Sequence, residues 1–401
     1  MLWPALTLQL GYNATLVTIG ATLLGIAAGI TGTFLYLRKR ALVSDAISHA
    51  TLPGIGLAFM AMVAFGFDGR SLSGLLAGSA LSALLGLYCV HLLTTRSRLT
   101  EDAAIGAVLS VFFGFGVVLL TIIQTMVAGR QAGLEGFLLG STAGMLGADA
   151  LVIAIGGALT LAAVLILRRP MTVVSFDPEY AEASGLPVAR IDLAIMALAL
   201  AVTVTGLKVV GLILIVALLI IPPVAARFWS DRVETVALLS GAIGGVSAYT
   251  GAALSAVIPN LPTGPMIVLV AFALFVFSLL ASPRRGVMAA FLKFRAYQEQ
   301  VHLRQGLLAL AQGQPIYERL TLRLLQRRGL ASADGVPTEA GRARAAKALR
   351  DEARWRVARK SAAHESASAH YDGLTDIENI LTGDQIAELD AQIPGPQEAP
   401  A

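Results

Sequence analysis

Asp45 and His49 stand four positions apart, just past the basic run Arg38-Lys39-Arg40 and at the head of a long apolar stretch. Residues i and i+4 share one face of a helix, so a carboxylate and an imidazole would point the same way. Nine residues past Arg40, His49 lies about 13 Å along a helix. At that depth ionisable groups are costly and face a bundle interior or a polar pathway. Asp with His is a borderline-hard ligand pair suited to Zn²⁺, Mn²⁺ or Fe²⁺. Two ligands hold an ion weakly, but two such pairs meeting across a twofold axis would make a four-ligand site able to let its ion go. The bland alternative is that Ser44 or Asp45 caps the helix and His49 merely packs. The residues alone leave both readings open.

The elements that must position this pair are membrane spans. Hydrophobic residues make up 56 % of the chain and charged ones 14 %, against roughly a quarter charged in soluble domains; mean hydropathy is +0.73. Of the 30 Lys and Arg, 17 follow residue 281, so a membrane part precedes a charged tail. The basic balance therefore needs no nucleic acid to explain it. Apolar runs of about 20 residues can cross the hydrocarbon as helices. Nine are found, at about 15–37, 45–66, 71–94, 103–127, 149–167, 190–206, 209–226, 234–257 and 264–281, with eight as the alternative if one pair merges. Residues 131–146 read as interfacial or re-entrant. Threading nine spans alternately puts twelve Lys/Arg on one side and only Arg70, Arg130 and Lys208 on the other. That bias predicts the N-terminus outside and the C-terminus in the cytoplasm. Gly25 and Gly29, one turn apart in the first span, suit close helix packing or a kink. No basic stretch precedes the first apolar residues, so the N-terminus does not read as a cleaved signal peptide. Cys89 has no partner for an internal disulfide.

The stretch RKRALVSDAISHATLPGIGLAF (38–59) resembles the membrane permease of the zinc/manganese/iron ABC importers. TRSRLTEDAAIG (95–106), SFDPEYAEASGLPV (175–188), VVGLILIVALLIIPPVAARF (209–228) and LPTGPMIVLV (261–270) match that family in order and cover nearly all of residues 15–281. The resemblance implies an all-α polytopic fold of the type II importer kind, with Asp45 and His49 contacting the metal. It also implies a second permease subunit, two cytoplasmic ATPase subunits and an external metal-binding protein, in a bacterial cytoplasmic membrane. The transported Mn²⁺, Zn²⁺ or Fe²⁺ is cargo, and no permanent cofactor is expected.

Independently, the chain has no G-x-x-x-x-G-K-[ST] phosphate cradle, so the energy must be borrowed. Asp177-Pro178 carries an N-cap and a proline at N1, Glu179 and Glu182 follow, and Gly185 can end a short helix. With Ala183, that helix resembles the family's coupling helix, which docks on the ATPase. Arg98 with Glu101 and Asp102 reads only as a solvated helix start. Pro53-Gly54 and Pro222-Pro223 are expected to break or kink their helices along the pathway.

In the tail, residues 282–360 carry 17 Lys/Arg against 6 Asp/Glu, and 361–401 carry none against 8. Three helices are expected in 301–360, with LASADGVP between the last two as a turn or wing. This resembles the winged-helix module of metal-responsive repressors, and implies a small α+β domain. The acidic end resembles their metal-binding and dimerisation helices, but its closing pair reads Glu378-Asn379 and the His370 spacing is off by one. The expected layout is a permease domain (1–285), a winged-helix-like domain (286–360), an acidic dimerisation-like segment (361–392) and a disordered tail (393–401). Tethered to a membrane, the basic helices are poorly placed for DNA; dimerisation or an ATPase contact comes first, and sensing of cytoplasmic metal second. Competing functions are a permease for iron-siderophore or cobalamin, which would need no Asp–His face, and a membrane-tethered regulator, which would need no coupling loop. A secondary transporter is disfavoured, since no internal repeat or further buried carboxylate is visible.

Overall fold

A computed structural model describes residues 12–69, 71–126, 147–257, 261–361 and 371–393, with residues 7, 9 and 369. The chain forms two compact units, residues 1–289 and 290–401. The expected interfacial segment 131–146, His370 and residues 394–401 lie outside the described residues.

The first unit is a bundle of α1 (Tyr12–Leu37), α2 (Ala41–Ala64), α3 (Leu72–Arg96), α4 (Glu101–Thr125), α5 (Gly147–Phe176), α6 (Pro178–Ala183), α7 (Val188–Val210), α8 (Leu212–Arg227), α9 (Val233–Val257) and α10 (Thr263–Ala281). Among the described residues eight helices are long and apolar enough to span a membrane; the ninth expected span is the shorter α8. Its 16 residues rise about 24 Å, less than the roughly 30 Å of hydrocarbon. Only Gly211 joins it to α7, at φ +82, a backbone region that side chains disfavour. The fifth span overruns its expected end at residue 167. It continues as helix through Arg168, Arg169 and Pro170 to Phe176.

Ion pairs gather several helix ends together. Arg40 Nε lies 3.2 Å from Glu101, Arg38 Nη2 2.6 Å from Asp192, Arg168 3.8 Å from Glu234 and Arg285 2.6 Å from Asp231. We refer to this as the basic end of the bundle.

In lipid, close backbone contact and hydrogen bonds hold helices together, because the tails are as apolar as leucine. The seam between α1 and α9 is of this kind. A Cβ on Gly25 would lie 2.8 Å from the Ala248 Cβ, and one on Gly29 would lie 2.7 Å from the Ser240 carbonyl carbon. Ser240 Oγ donates to the Gly29 carbonyl at 2.6 Å. Gly25 and Gly29 are therefore packing residues within the continuous helix α1.

The second unit contains α11 (Val287–Ala311, which begins in the first), α12 (Arg319–Arg327), α13 (Glu339–Ala358), a 3₁₀ turn at Ile377–Asn379 and α14 (Gly383–Gln392). Leu307, Leu325, Leu330, Ala345 and Ala348 form one core, and Trp355, Ala358, Ile377, Leu381 and Leu389 a second. Beside that second core Arg354 grips Asp390 through Nε (2.7 Å) and Nη2 (2.5 Å), while Nη1 reaches the fully buried Asp351 at 3.1 Å.

The expected α+β winged-helix domain is not formed: the described residues contain no sheet, only an isolated bridge between Ala331 and Pro337. Ser332 N bonds to Val336 O and Thr338 N to Leu330 O, but Val336 N turns to the Ser332 hydroxyl and the ladder goes no further. The facing carbonyls of Ser332 and Ala333 accept instead from the Gln326 side chain. Glu378, expected near a metal site, pairs with Lys347 at 2.7 Å. That hydrogen bond holds its carboxyl below the usual range.

Candidate functional site

Helix α2 starts at Ala41, with Arg40 in the capping position and no side chain bonded to the free N–H groups. Neither Ser44 nor Asp45 is a cap: the Ser44 hydroxyl donates back to the Ala41 carbonyl, and Asp45 lies in the second turn. The capping half of the bland reading therefore fails for this stretch. Asp45 and His49 share a face as their spacing requires, with His49 Nε2 3.4 Å from Asp45 Oδ1. That is close enough for ion pairing but loose for a hydrogen bond. His49 stands edge-on to Phe113 of α4, centroids 5.0 Å apart. Its Nδ1 is buried without a hydrogen-bond partner. The Asp45 side chain is 36 % exposed and His49 18 %, so the pair sits at the edge of the unit. Among the described residues no group of three or more His, Cys, Asp or Glu could hold a metal ion.

Pro53 lies within α2, which runs unbroken from Ala41 to Ala64. Having no N–H, Pro53 leaves the His49 carbonyl, four residues earlier, without its helical donor. Gly54 is where α3 crosses: a Cβ there would lie 2.6 Å from the Ser82 Cβ. On the other side Gly116 of α4 rests on Leu52 and Pro53. The stretch after His49 is therefore clamped between two helices. Pro222 and Pro223 likewise lie inside α8 without ending it.

The segment 177–187 forms the expected short helix, α6. The Asp177 side chain accepts from Tyr180 N at 2.8 Å, and Pro178 occupies N1. Gly185, at φ +79, ends it with Leu186 N bonded to Ala181 O and Gly185 N to Glu182 O, the left-handed stop that suits glycine. Only Ala181 is buried; Glu179, Tyr180, Glu182 and Ala183 are exposed, as is Phe176 before them. This leaves an acidic and aromatic knob at the basic end.

Residues 12–282 match the model of the ABC 3 transport family. The chain belongs to this family. It is 39 % identical over 311 residues, 77 % of this chain and 70 % of the relative, to the manganese transport system membrane protein MntC of Bacillus subtilis. To the zinc transport system membrane protein TroC of Treponema pallidum it is 36 % identical over 277 residues, covering 69 % and 91 % of the two chains. Among solved structures, PsaBC from Streptococcus pneumoniae in complex with Fab matches at a TM-score of 0.62 and 30 % identity, over 72 % of this chain and 97 % of that one. The chain is thus a multi-pass ABC 3 membrane protein. The match to the family model takes in Asp45, His49, the α6 segment and all four helix prolines, and stops ahead of the second unit.

Three residues of this ABC 3 bundle stand in contacts that the sequence did not mark. Phe113 is one aromatic in an apolar run. Asp192 is a lone acid in the second turn of α7, yet it is 9 % exposed and meets two arginines. Glu101, read as solvated, pairs with Arg40. A run of basic residues beside a short list of acids was the available signal, but it does not say which acid is the partner.

Proposed function

We propose that this chain is the membrane-spanning subunit of an ABC importer that carries a first-row divalent metal ion into the bacterial cell, with Asp45 and His49 contacting the ion. The observation that carries this reading is the loose Asp45–His49 pair on α2, with a buried imidazole nitrogen that has no protein partner. A carboxylate and an imidazole suit Mn²⁺, Zn²⁺ and Fe²⁺, and the relatives named for manganese and zinc support the same class. We place manganese first. A second permease subunit supplies the other Asp–His pair, so that the ion passes a four-ligand site between copies.

The basic end faces the cytoplasm in this reading, as the positive-inside bias requires, with the N-terminus outside and the C-terminus inside. The α6 knob is the ATPase contact: Asp177 and Gly185 fix its two ends, while Glu179 and Ala183 lie on the exposed surface. Two ATPase subunits dock there, and a metal-binding protein delivers the ion outside. The backbone acceptors freed by Pro53, Pro222 and Pro223, and the crossing at Gly54, shape the pathway. The chain itself hydrolyses nothing and keeps no cofactor. The permease domain covers 1–285; the tail (286–360, 361–392, 393–401) serves dimerisation or ATPase contact first and metal sensing second.

The test is uptake of radiolabelled Mn²⁺, Zn²⁺ and Fe²⁺ by cells expressing the complete transporter. Asp45→Ala and His49→Ala should each abolish uptake while the complex still assembles. Normal uptake by both variants would sink the ligand assignment. Glu179→Lys with Gly185→Trp should separate ATP hydrolysis from transport, and unaltered transport would remove α6 from the mechanism.

A further inference from the structure

Both flanks of α6 are tied to the start of α2 through one small charged cluster at the basic end. Arg38 Nη1 donates to the Val174 carbonyl at 2.9 Å, in the last turns of α5, and its Nη2 donates to Asp192 Oδ2 at 2.6 Å, in the first turns of α7. The same Asp192 oxygen lies 3.4 Å from Arg40 Nη1, and Arg40 Nε lies 3.2 Å from Glu101, the first residue of α4. Arg40 immediately precedes α2, which carries Asp45 and His49, and α4 carries the Phe113 that abuts His49. Four side chains thus connect the helices entering and leaving α6 with the two helices that frame the metal-ligand pair.

The turn between the arginines is built to converge them. Lys39 adopts φ +58, the one left-handed non-glycine among the described residues. Lys39 N bonds to Tyr36 O and Arg40 N to Leu35 O. This closes α1 with the stop that glycine normally supplies. A non-glycine residue persists in that region only where its surroundings over-determine it, and here both neighbours are held by ion pairs.

The central pair is also half made. A guanidinium and a carboxylate lying side-on can share two parallel hydrogen bonds. In this structure Nη2–Oδ2 is closed, while Arg38 Nε and Asp192 Oδ1 are both buried and without a partner. The side chains are only 14 % and 11 % exposed, so water screens the pair little. A buried donor and a buried acceptor are thus left open beside a closed bond. Coupling between sites needs an element with two arrangements, and these open groups are where this cluster would supply the second.

We infer that Arg38, Arg40, Asp192 and Glu101 are positioning residues forming a switchable ion-pair relay, which passes displacement of the α6 corner to the helix bearing Asp45 and His49. The relay rests on the importer reading, and its test separates the two. The complete transporter, with its ATPase and binding protein, is reconstituted in vesicles; metal uptake, ATP hydrolysis and ATPase co-purification are measured together. Asp192→Asn and Arg40→Glu should retain the ATPase and its basal hydrolysis, but lower metal carried per ATP by about tenfold, a usual size for a coupling element. Arg40→Glu combined with Glu101→Arg should recover part of the ratio, because the exchanged pair re-forms while position 40 still faces Asp192; a general packing defect would allow no recovery. If a reversal variant fails to insert, Arg38→Lys is used: it keeps the charge, removes the second arm of the fork, and should still lower the ratio. An unchanged ratio in the single variants overturns the relay, as does a lowered ratio that the charge swap leaves unmoved. A wild-type complex that neither retains an ATPase nor moves metal overturns the importer reading itself, and the relay with it.

Discussion

Gly116→Ala is expected to disable transport by forcing α4 away from α2. Gly116 is buried in α4, and a Cβ there would lie 2.5 Å from the Leu52 Cβ and 3.2 Å from Pro53 N. Carbon atoms rest at about 3.5–4.0 Å, so α4 and α2 must part by about 1 Å. The wedge enters one turn from the Phe113–His49 contact. A misplacement of about 1 Å in a positioning group can cost on the order of 10²-fold in rate. Overpacking also destabilises by about 1–3 kcal/mol, offset in part by the roughly 1 kcal/mol that alanine gains over glycine in a helix. The same helix supplies its own controls. Gly106 and Gly114 have open space where a Cβ would go, so Gly106→Ala and Gly114→Ala should be neutral or slightly stabilising. Uptake of radiolabelled metal, normalised to the amount of protein in the membrane, distinguishes the cases. If Gly116→Ala transports as well as Gly114→Ala, the α2–α4 contact does not position the site and the reasoning fails.

Three further outcomes concern stability. Lys39→Gly should raise the melting temperature, because removing a left-handed side chain relieves about 1 kcal/mol; a fall would show that the lysine makes a compensating contact. Arg354→Ala should weaken the second unit by about 3 kcal/mol, since it strands the buried Asp351, and limited proteolysis of the full chain should then cut residues 339–393 much faster. Asp351→Asn tests a pH dependence. Burial pushes the Asp351 carboxyl above its ordinary 3.8, so the folded unit holds that proton more tightly than the unfolded chain. Its contribution favours folding below pH 3.8 and is lost as pH rises through the raised value, whereas Asp390, held low by its hydrogen bond from Arg354, contributes above 3.8 and loses that contribution in acid. The Asn variant should therefore melt higher than wild type at pH 7, by a margin that shrinks towards pH 4; a constant offset would refute this.

Much of the membrane unit was legible because lipid imposes length and composition on every span, and because α6 is written in local signals: Asp177, Pro178 and Gly185 lie within nine positions of one another and each acts on its own turn. Asp45 and His49 were legible for the same reason, since helical geometry alone puts them on one face. What escaped is long-range. Arg38 and Asp192 are 154 positions apart, and no periodicity selects one acid as the partner of one arginine. Glu101 looked like a helix start because that is also what it is. The wing failed for a different reason. Its turn residues were read correctly, but whether flanking residues pair depends on competing donors such as Gln326, which lies outside the turn.

The seam between α1 and α9 bears on how this bundle can move at all. Packed helices shear by letting side chains rotate and resettle between them. At Gly25, Gly29 and Ser240 no such layer exists: main chain lies against main chain, and a hydroxyl bolts one helix to the carbonyl of the other. These two helices must travel as a single rigid body. Any opening and closing of a passage is thereby left to the other contacts of the bundle.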